Sequence, residues 1–261
     1  MAETGGDTGG ETGQGAKSSS NAARAARILV TLGEAAPRAF RSLSWPKLWP
    51  HRARLCTAPC LLWRKRGWSC NGAWRGKYHI GPAIHAIAAR QQPITTLVET
   101  LRPSLMQIAA DTGLATFLMA RAGFDSVCLD FQTGFATVSA MFDGVGGRLP
   151  LGVGVGGQVI LCGMDPASRD RILEINAPRF AEWGMRPEDI RAEIATYAGN
   201  GWIVVSRNSG LGGETKVSSL AVPLRSVGLP ELAVSVLAPG EKIAPDLRAR
   251  VLEACARHLP K

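Results

Sequence analysis

The sequence predicts an α+β protein built on an antiparallel sheet and preceded by a small basic module. From Asp111 onward, runs of strand-like apolar residues bracket segments of helical spacing, a grouping that favours antiparallel pairing. Between Ala35 and Val98 stand eleven of the thirty Lys and Arg and no Asp or Glu, so the remaining chain carries nineteen bases against twenty-one acids. At 261 residues the chain is long enough for two units, each with its own core.

The opening "MAETGGDTGGETGQGAKSSS" has neither the apolar stretch of a signal peptide nor enough apolar surface to fold, and is expected to be a disordered tail, residues 1–20, of a cytoplasmic protein. "NAARAARILVTLGEAA" sets Ala23, Ala26, Ile28, Leu29 and Leu32 near one helical face with Asn21 as N-cap. The tract "SLSWPKLWPHRARLCTAPCLLWRKRGWSCNGAW", residues 42–74, holds five of the seven Trp and three of the six Cys without an acid. Pro46, Pro50 and Pro59 exclude an undisturbed helix through it. "RGKYHIGPAIHAIAARQ" predicts a short strand, a Gly-Pro break and a helix from Pro82 to Gln91. The next helix, Ile94 to Ala110, carries Leu97, Leu101, Leu105 and Ile108 on one stripe and is expected at a domain or subunit boundary.

Farther on, "ATFLMARA" and "DSVCLDF" predict a hairpin around Gly123, and "PLGVGVGGQVILCG" a glycine-rich turn entering a helix. Asp165 and Pro166 start one helix; Pro187 starts another that runs to Gly199. "WIVVS", "VSSLAVPLR" and "ELAVSVLAP" are three strands, and "APDLRARVLEACARHL" is a closing helix. The longest apolar runs fall short of the roughly 18 residues that span a bilayer, so no membrane segment is predicted.

The chemistry-bearing residues argue against catalysis. His51, His79, His85 and His258 are the only histidines, so positions 86–257 offer no base for a Ser-His or Cys-His pair and no imidazole for a metal. Cys128 and Cys162 lie in apolar surroundings, and all six thiols are expected reduced. His51, Cys56 and Cys60 with Cys70 or His79 match no zinc-finger spacing. No enzyme, cofactor or metal is therefore predicted. The basic segment, by contrast, suits a polyanion, since neutralising phosphates releases condensed counterions.

"GVGVGG" at 152–157 satisfies G-x-G-x-x-G but lacks the buried parallel strand that a dinucleotide site needs before it. Two readings remain: helix-terminal amides that hold a small carboxylate, or a tight turn that lets backbone pack closely. In "VSSLAVPL" Ser218, Leu220, Val222 and Leu224 share one face, and Val217, Ser219, Ala221 and Pro223 the other. In "ELAVSVLA" the bulky face is Leu232, Val234 and Val236, and the slim face Ala233, Ser235 and Leu237. A slim face with one hydroxyl per strand suits either the wall of a small apolar pocket or the seat of a close-packed helix.

Taken in order, "AARAARILVTLGEA", "RGKYHIGPAIHAIA", "TGLATFLMARAGFDSVCLDF", "RLPLGVGVGGQVIL", "NAPRF", "GW", "KVSSLAVPL" and "ELAVSVLAP" resemble the IclR family of bacterial transcriptional regulators over Asn21 to Leu259, the 42–74 tract excepted. The resemblance implies a winged helix-turn-helix over 21–81, a linker helix over 82–92 and a GAF-like effector-binding domain over 93–261. It implies a homodimer or tetramer acting on a palindromic double-stranded DNA operator and answering to a small organic acid or aromatic metabolite. Carried over by motif, the effector site would be Gly154, Val155, Gly156, Ser219 and Ser235. Where many members carry an acidic pair, this chain has Val205 and Ser206.

The tract departs further, with Trp, Cys, Arg and Pro where the family places its second and recognition helices. Consecutive CTG-GCN codons for Leu and Ala, read one base late, contain the Trp codon TGG, so residues of about 37–74 have the signature of out-of-frame translation. If the tract is native, Arg64, Lys65, Arg66, Arg75 and Lys77 are the expected phosphate contacts; if it is shifted, only Arg75 and Lys77 remain. The sequence thus predicts a ligand-responsive regulator, the alternative being a small-molecule-binding or enzymatic GAF-like protein with a vestigial N-terminal module.

Overall fold

The computed structural model describes residues 25–26, 28–30, 32–33, 40–41, 65–71, 77–90, 92–135, 144–208, 216–224 and 231–260. The chain divides into two compact units, Met1–Ala86 and Ile87–Lys261. In the first, residues 25–26, 28–30 and 32–33 are helical, and Ile28 and Leu32, one turn apart on the predicted face, are buried. Asn21 and Ala23 lie outside the described residues.

Three short strands follow: β1 (Phe40–Arg41), β2 (Ser69–Asn71) and β3 (Lys77–Ile80), antiparallel in the order β1-β3-β2. Cys70 pairs with His79, so β2 and β3 lie antiparallel as neighbours. The Gly81 amide donates to the Trp68 carbonyl (2.8 Å) and the Ala83 amide to the Gly67 carbonyl (3.0 Å), which joins this strand pair to the start of helix α1 (Pro82–Ala89). Pro82 suits that first turn because its missing N–H would have no helical acceptor.

The second unit is a three-layer sandwich. Its sheet comprises β4 (Ala115–Ala122), β5 (Asp125–Gln132), β6 (Arg148–Pro150), β7 (Ile203–Asn208), β8 (Lys216–Leu224) and β9 (Leu232–Pro239). All neighbours are antiparallel, in the order β6-β5-β4-β9-β8-β7. The central β4 and β9 are buried on both faces, whereas β5 alternates.

One face carries the bulky set Leu118, Leu220, Leu224, Leu232, Val234 and Val236 under α2 (Gln92–Thr112) and α7 (Pro245–His258). Leu101, Leu105 and Ile108 of α2 fill this layer together with Val251, Ala254 and Cys255 of α7. The helix expected at a domain or subunit boundary thus spends its stripe inside its own unit. Arg102 on its exposed side donates to Asp130 of β5 at 2.8 Å. Leu105 is fully buried there. Leu105→Ala is expected to lower unfolding free energy by ~3 kcal/mol through lost transfer energy plus the cavity left behind; a shifted urea midpoint at constant m-value checks this.

The other face carries α3 (Val155–Cys162), α4 (Pro166–Phe180) and α5 (Pro187–Ala195), with Ile160, Leu173, Phe180, Ile190 and Ile194 packed over Ile203, Val205, Ala221 and Ala233. Asp165 caps α4 by accepting from the Ser168 amide (2.9 Å), and that bond holds its carboxyl below the usual range. A lowered folded-state pKa means the cap is intact at neutral pH and is lost only as acid protonates Asp165. The segment expected as one helix to Gly199 breaks after Ala195; α6 (Tyr197–Asn200) follows and ends at Gly201, left-handed at φ +74°.

Candidate functional site

The cavity of interest lies between the sheet and the first turn of α3. Its floor follows from strand register, because residues paired across an antiparallel sheet share a face. One row runs Val205–Ser219–Leu237–Ala115 across β7, β8, β9 and β4. The next runs Ile203–Ala221–Ser235–Phe117–Phe131, and its last two rings stack with centroids 5.9 Å apart. A third holds Ala233, Met119 and Cys128. The slim faces therefore form the floor, with Ser219 and Ser235 as diagonal neighbours on adjacent strands.

The roof is the Gly-rich entry to α3. Gly154 is the N-cap residue and has no side chain to satisfy the first amides, so the Val155, Gly156 and Gly157 N–H groups begin the helix without intrahelical acceptors. The segment 154–157 that carries them lines the cavity. A Cβ on Gly156 would stand 2.9 Å from Met119 Cγ and 3.2 Å from Met119 Cβ. Only glycine lets the helix approach so closely. The close backbone packing that was one of the two sequence alternatives is thus present at Gly156.

The cavity between roof and floor is small, about 60 Å³, and partly open to solvent. Phe117, Met119, Leu149, Val155 and Leu237 supply apolar wall, and Ser126, Ser219 and Ser235 the side-chain hydroxyls. The Ser126 hydroxyl is engaged by the Leu149 carbonyl at 3.4 Å. Those of Ser219 and Ser235 have no protein partner among the described residues, although Ser235 is 7% exposed. Among the described residues none that lines the cavity is charged.

Two ionic clusters hold the loop that feeds this roof. Asn176 donates to the carbonyls of Phe124 (2.7 Å) and Leu151 (3.3 Å), while Arg179 and Arg148 clasp Asp125 at 2.5 and 2.8 Å. On the other side the fully buried Gln158 donates to the Gly152 carbonyl (3.0 Å) and to Glu193 (2.6 Å). Glu193 in turn receives both arms of Arg207 at 2.7 and 2.5 Å. Gly152 itself needs φ +117°, where a side chain would also press on Phe180 and Ile190.

Burial pushes the Cys128 and Cys255 thiols up to about 12 and the Cys162 thiol up to about 11, so none is a thiolate at neutral pH. Among the described residues no group of three or more His, Cys, Asp or Glu could hold a metal ion, and no helix is long and apolar enough to cross a membrane.

All five residues selected from the sequence, Gly154, Val155, Gly156, Ser219 and Ser235, line this one cavity. Phe117, Met119, Ser126 and Leu149 line it too and were not singled out by sequence. Of the basic residues, Lys65 is helical and exposed, Arg66 follows it in an exposed turn, and Lys77 sits in β3 opposite Arg41. Arg64 and Arg75 lie outside the described residues, as do His51, Cys56 and Cys60.

No protein-family model matches the sequence, and no curated protein matches it. Solved structures do match in fold. A protein from a Silicibacter species assigned to the IclR transcriptional regulators superposes with a TM-score of 0.70 at 20% identity, over 91% of this chain and 92% of that one. An IclR family transcriptional regulator from Brucella abortus gives 0.67 at 19% identity over 97% of each. An IclR homolog from Microbacterium hydrocarbonoxydans, solved with 4-hydroxybenzoate, gives 0.67 at 20% identity over 91% of this chain and 96% of that one. The chain has the fold of these regulators, seen among the described residues as a six-stranded antiparallel sheet between two helical layers, preceded by a small three-stranded sheet.

Proposed function

We propose that this chain is a cytoplasmic, ligand-responsive transcriptional regulator of the IclR family. Residues 21–81 form a winged helix-turn-helix that binds a palindromic DNA operator, 82–92 a linker helix, and 93–261 an effector domain. A small organic acid or aromatic metabolite in the α3 cavity shifts a homodimer or tetramer between DNA-binding states. The observation that carries this reading is the convergence of Gly154, Val155, Gly156, Ser219 and Ser235 on one cavity at the N-terminus of α3. Amides and hydroxyls so placed are donors for a carboxylate, and the apolar walls take its body. Lys65, Arg66, Arg75 and Lys77, with Arg64, are the phosphate contacts of this reading.

Two measurements on the full chain test it. A panel of small carboxylates should raise the melting temperature, as any ligand preferring the folded state must. DNA from around the protein's own gene should be retained with an affinity that falls at least ~10-fold between about 50 and 200 mM salt. The composition of the tract at 42–74 favours one second reading, a sensor whose N-terminal module no longer reads DNA. Carboxylate stabilisation without salt-dependent DNA binding would select that reading; absence of both would refute each.

A further inference from the structure

The two edges of the six-stranded sheet are built differently. On one side β6 is only three residues long, Arg148–Pro150, with Arg148 bound to Asp125 and a proline that has no N–H to offer. On the other, β7 runs for six residues, Ile203–Asn208, in unbroken register with β8 and without proline or lysine. Short, charged or proline-bearing edges resist further pairing, whereas a regular edge is a template for it.

The register shows which backbone groups β7 presents. The Gly240 amide donates to the Lys216 carbonyl at 2.9 Å, so Lys216 and, by alternation, Ser218 and Leu220 turn their peptide groups toward β9. Val217, Ser219 and Ala221 therefore turn theirs toward β7, where they meet Arg207, Val205 and Ile203. Val204, Ser206 and Asn208 point theirs away from the sheet, and among the described residues no backbone group takes them. The Ser206 carbonyl accepts from the Arg207 side chain at 3.1 Å and keeps a second lone pair. Arg207 is neutralised by Glu193, so no bare cation guards this edge. The side chains that accompany the outward groups, half-buried Val204 and exposed Ser206 and Asn208, are uncharged.

We propose that β7 pairs antiparallel with β7 of a second copy about a two-fold axis at Ser206, joining two six-stranded sheets into one. A strand with free groups at positions 204, 206 and 208 is its own complement. Ser206 faces Ser206 of the second copy and Val204 faces Asn208 of the second copy, so each outward N–H meets a C=O. In that register Arg207 stands opposite Val205 of the second copy, and no like charges are opposed. This names the surface for the self-association proposed above and rests on that reading, but on neither the cavity nor DNA binding.

Residue-resolved hydrogen exchange and sedimentation of the full chain test it. In the associated protein the amides of Val204 and Ser206 and that of Asn208 should exchange at least ~10-fold more slowly than open backbone. Ser206→Pro removes only an outward donor and leaves the β7–β8 ladder whole; Ser206→Lys keeps every backbone group but opposes two ammonium groups across the axis. Each should weaken association at least ~10-fold and release that protection, and Ser206→Ala should do neither. The lysine variant reads the interface even where the proline variant does not fold. Association with these three amides exchanging freely, or unchanged by Ser206→Lys, overturns the β7 interface and leaves self-association standing. A chain that sediments as a monomer at every concentration overturns both.

Discussion

Replacing Glu193 by Ala is expected to cost the second unit ~2–4 kcal/mol, a large loss for a polar change. Glu193 takes both arms of Arg207 and one proton of the Gln158 amide, with side-chain exposures of 17% for Arg207 and 27% for Glu193. Among the described residues Arg207 Nε and Gln158 Oε1 are themselves buried without partners, so the cluster they form has no spare acceptor to replace a lost one. Truncation leaves a guanidinium and an amide facing apolar neighbours. The paired exchange Glu193→Leu with Arg207→Met removes both charges together and should recover most of the loss, because two desolvated ions give back little more than they cost. Urea denaturation of the four proteins in this cycle measures it. A Glu193→Ala loss below ~1 kcal/mol would show that water replaces the carboxylate and that the pair behaves as a surface one.

That cluster also marks what sequence could not disclose. Gln158, Glu193 and Arg207 come from α3, α5 and β7, and contacts across such separations leave no period to detect. Ser219 and Ser235 were legible because their strands alternate slim and bulky residues, and that alternation became floor and opposite face in the sheet. Phe117 and Met119 were not, because "ATFLMARA" is buried on both sides and a continuous apolar run hides which face each residue takes. The stripe on α2 told that something covers it, but not that the cover was the sheet and α7 of the same unit. In the basic tract the composition carries neither a helical nor a strand period, so only β3 and the helix-starting Pro82 were legible there.

Gly156→Val should abolish carboxylate binding, weakening a small carboxylate probe such as benzoate by ~100-fold or more, while the rest of the fold survives. The first added carbon would already meet Met119 Cγ at 2.9 Å and Met119 Cβ at 3.2 Å, atoms too near the β4 backbone to swing aside. Either α3 lifts, which carries its amides away from Ser219 and Ser235, or Met119 is driven into the cavity. Both remove the match between roof and floor on which binding depends, and overpacking of this kind costs ~1–3 kcal/mol of stability. Gly199 supplies the control, because it stands in helix α6 at no positive φ, and a Cβ there would meet nothing within 4 Å. Gly199→Ala should bind benzoate as the parent does and be slightly more stable, alanine being the better helix former by ~1 kcal/mol. Titration of Gly156→Ala completes the series at an intermediate affinity. Undiminished benzoate binding by the valine variant, with its far-ultraviolet spectrum intact, would mean that the acid does not sit between α3 and the sheet.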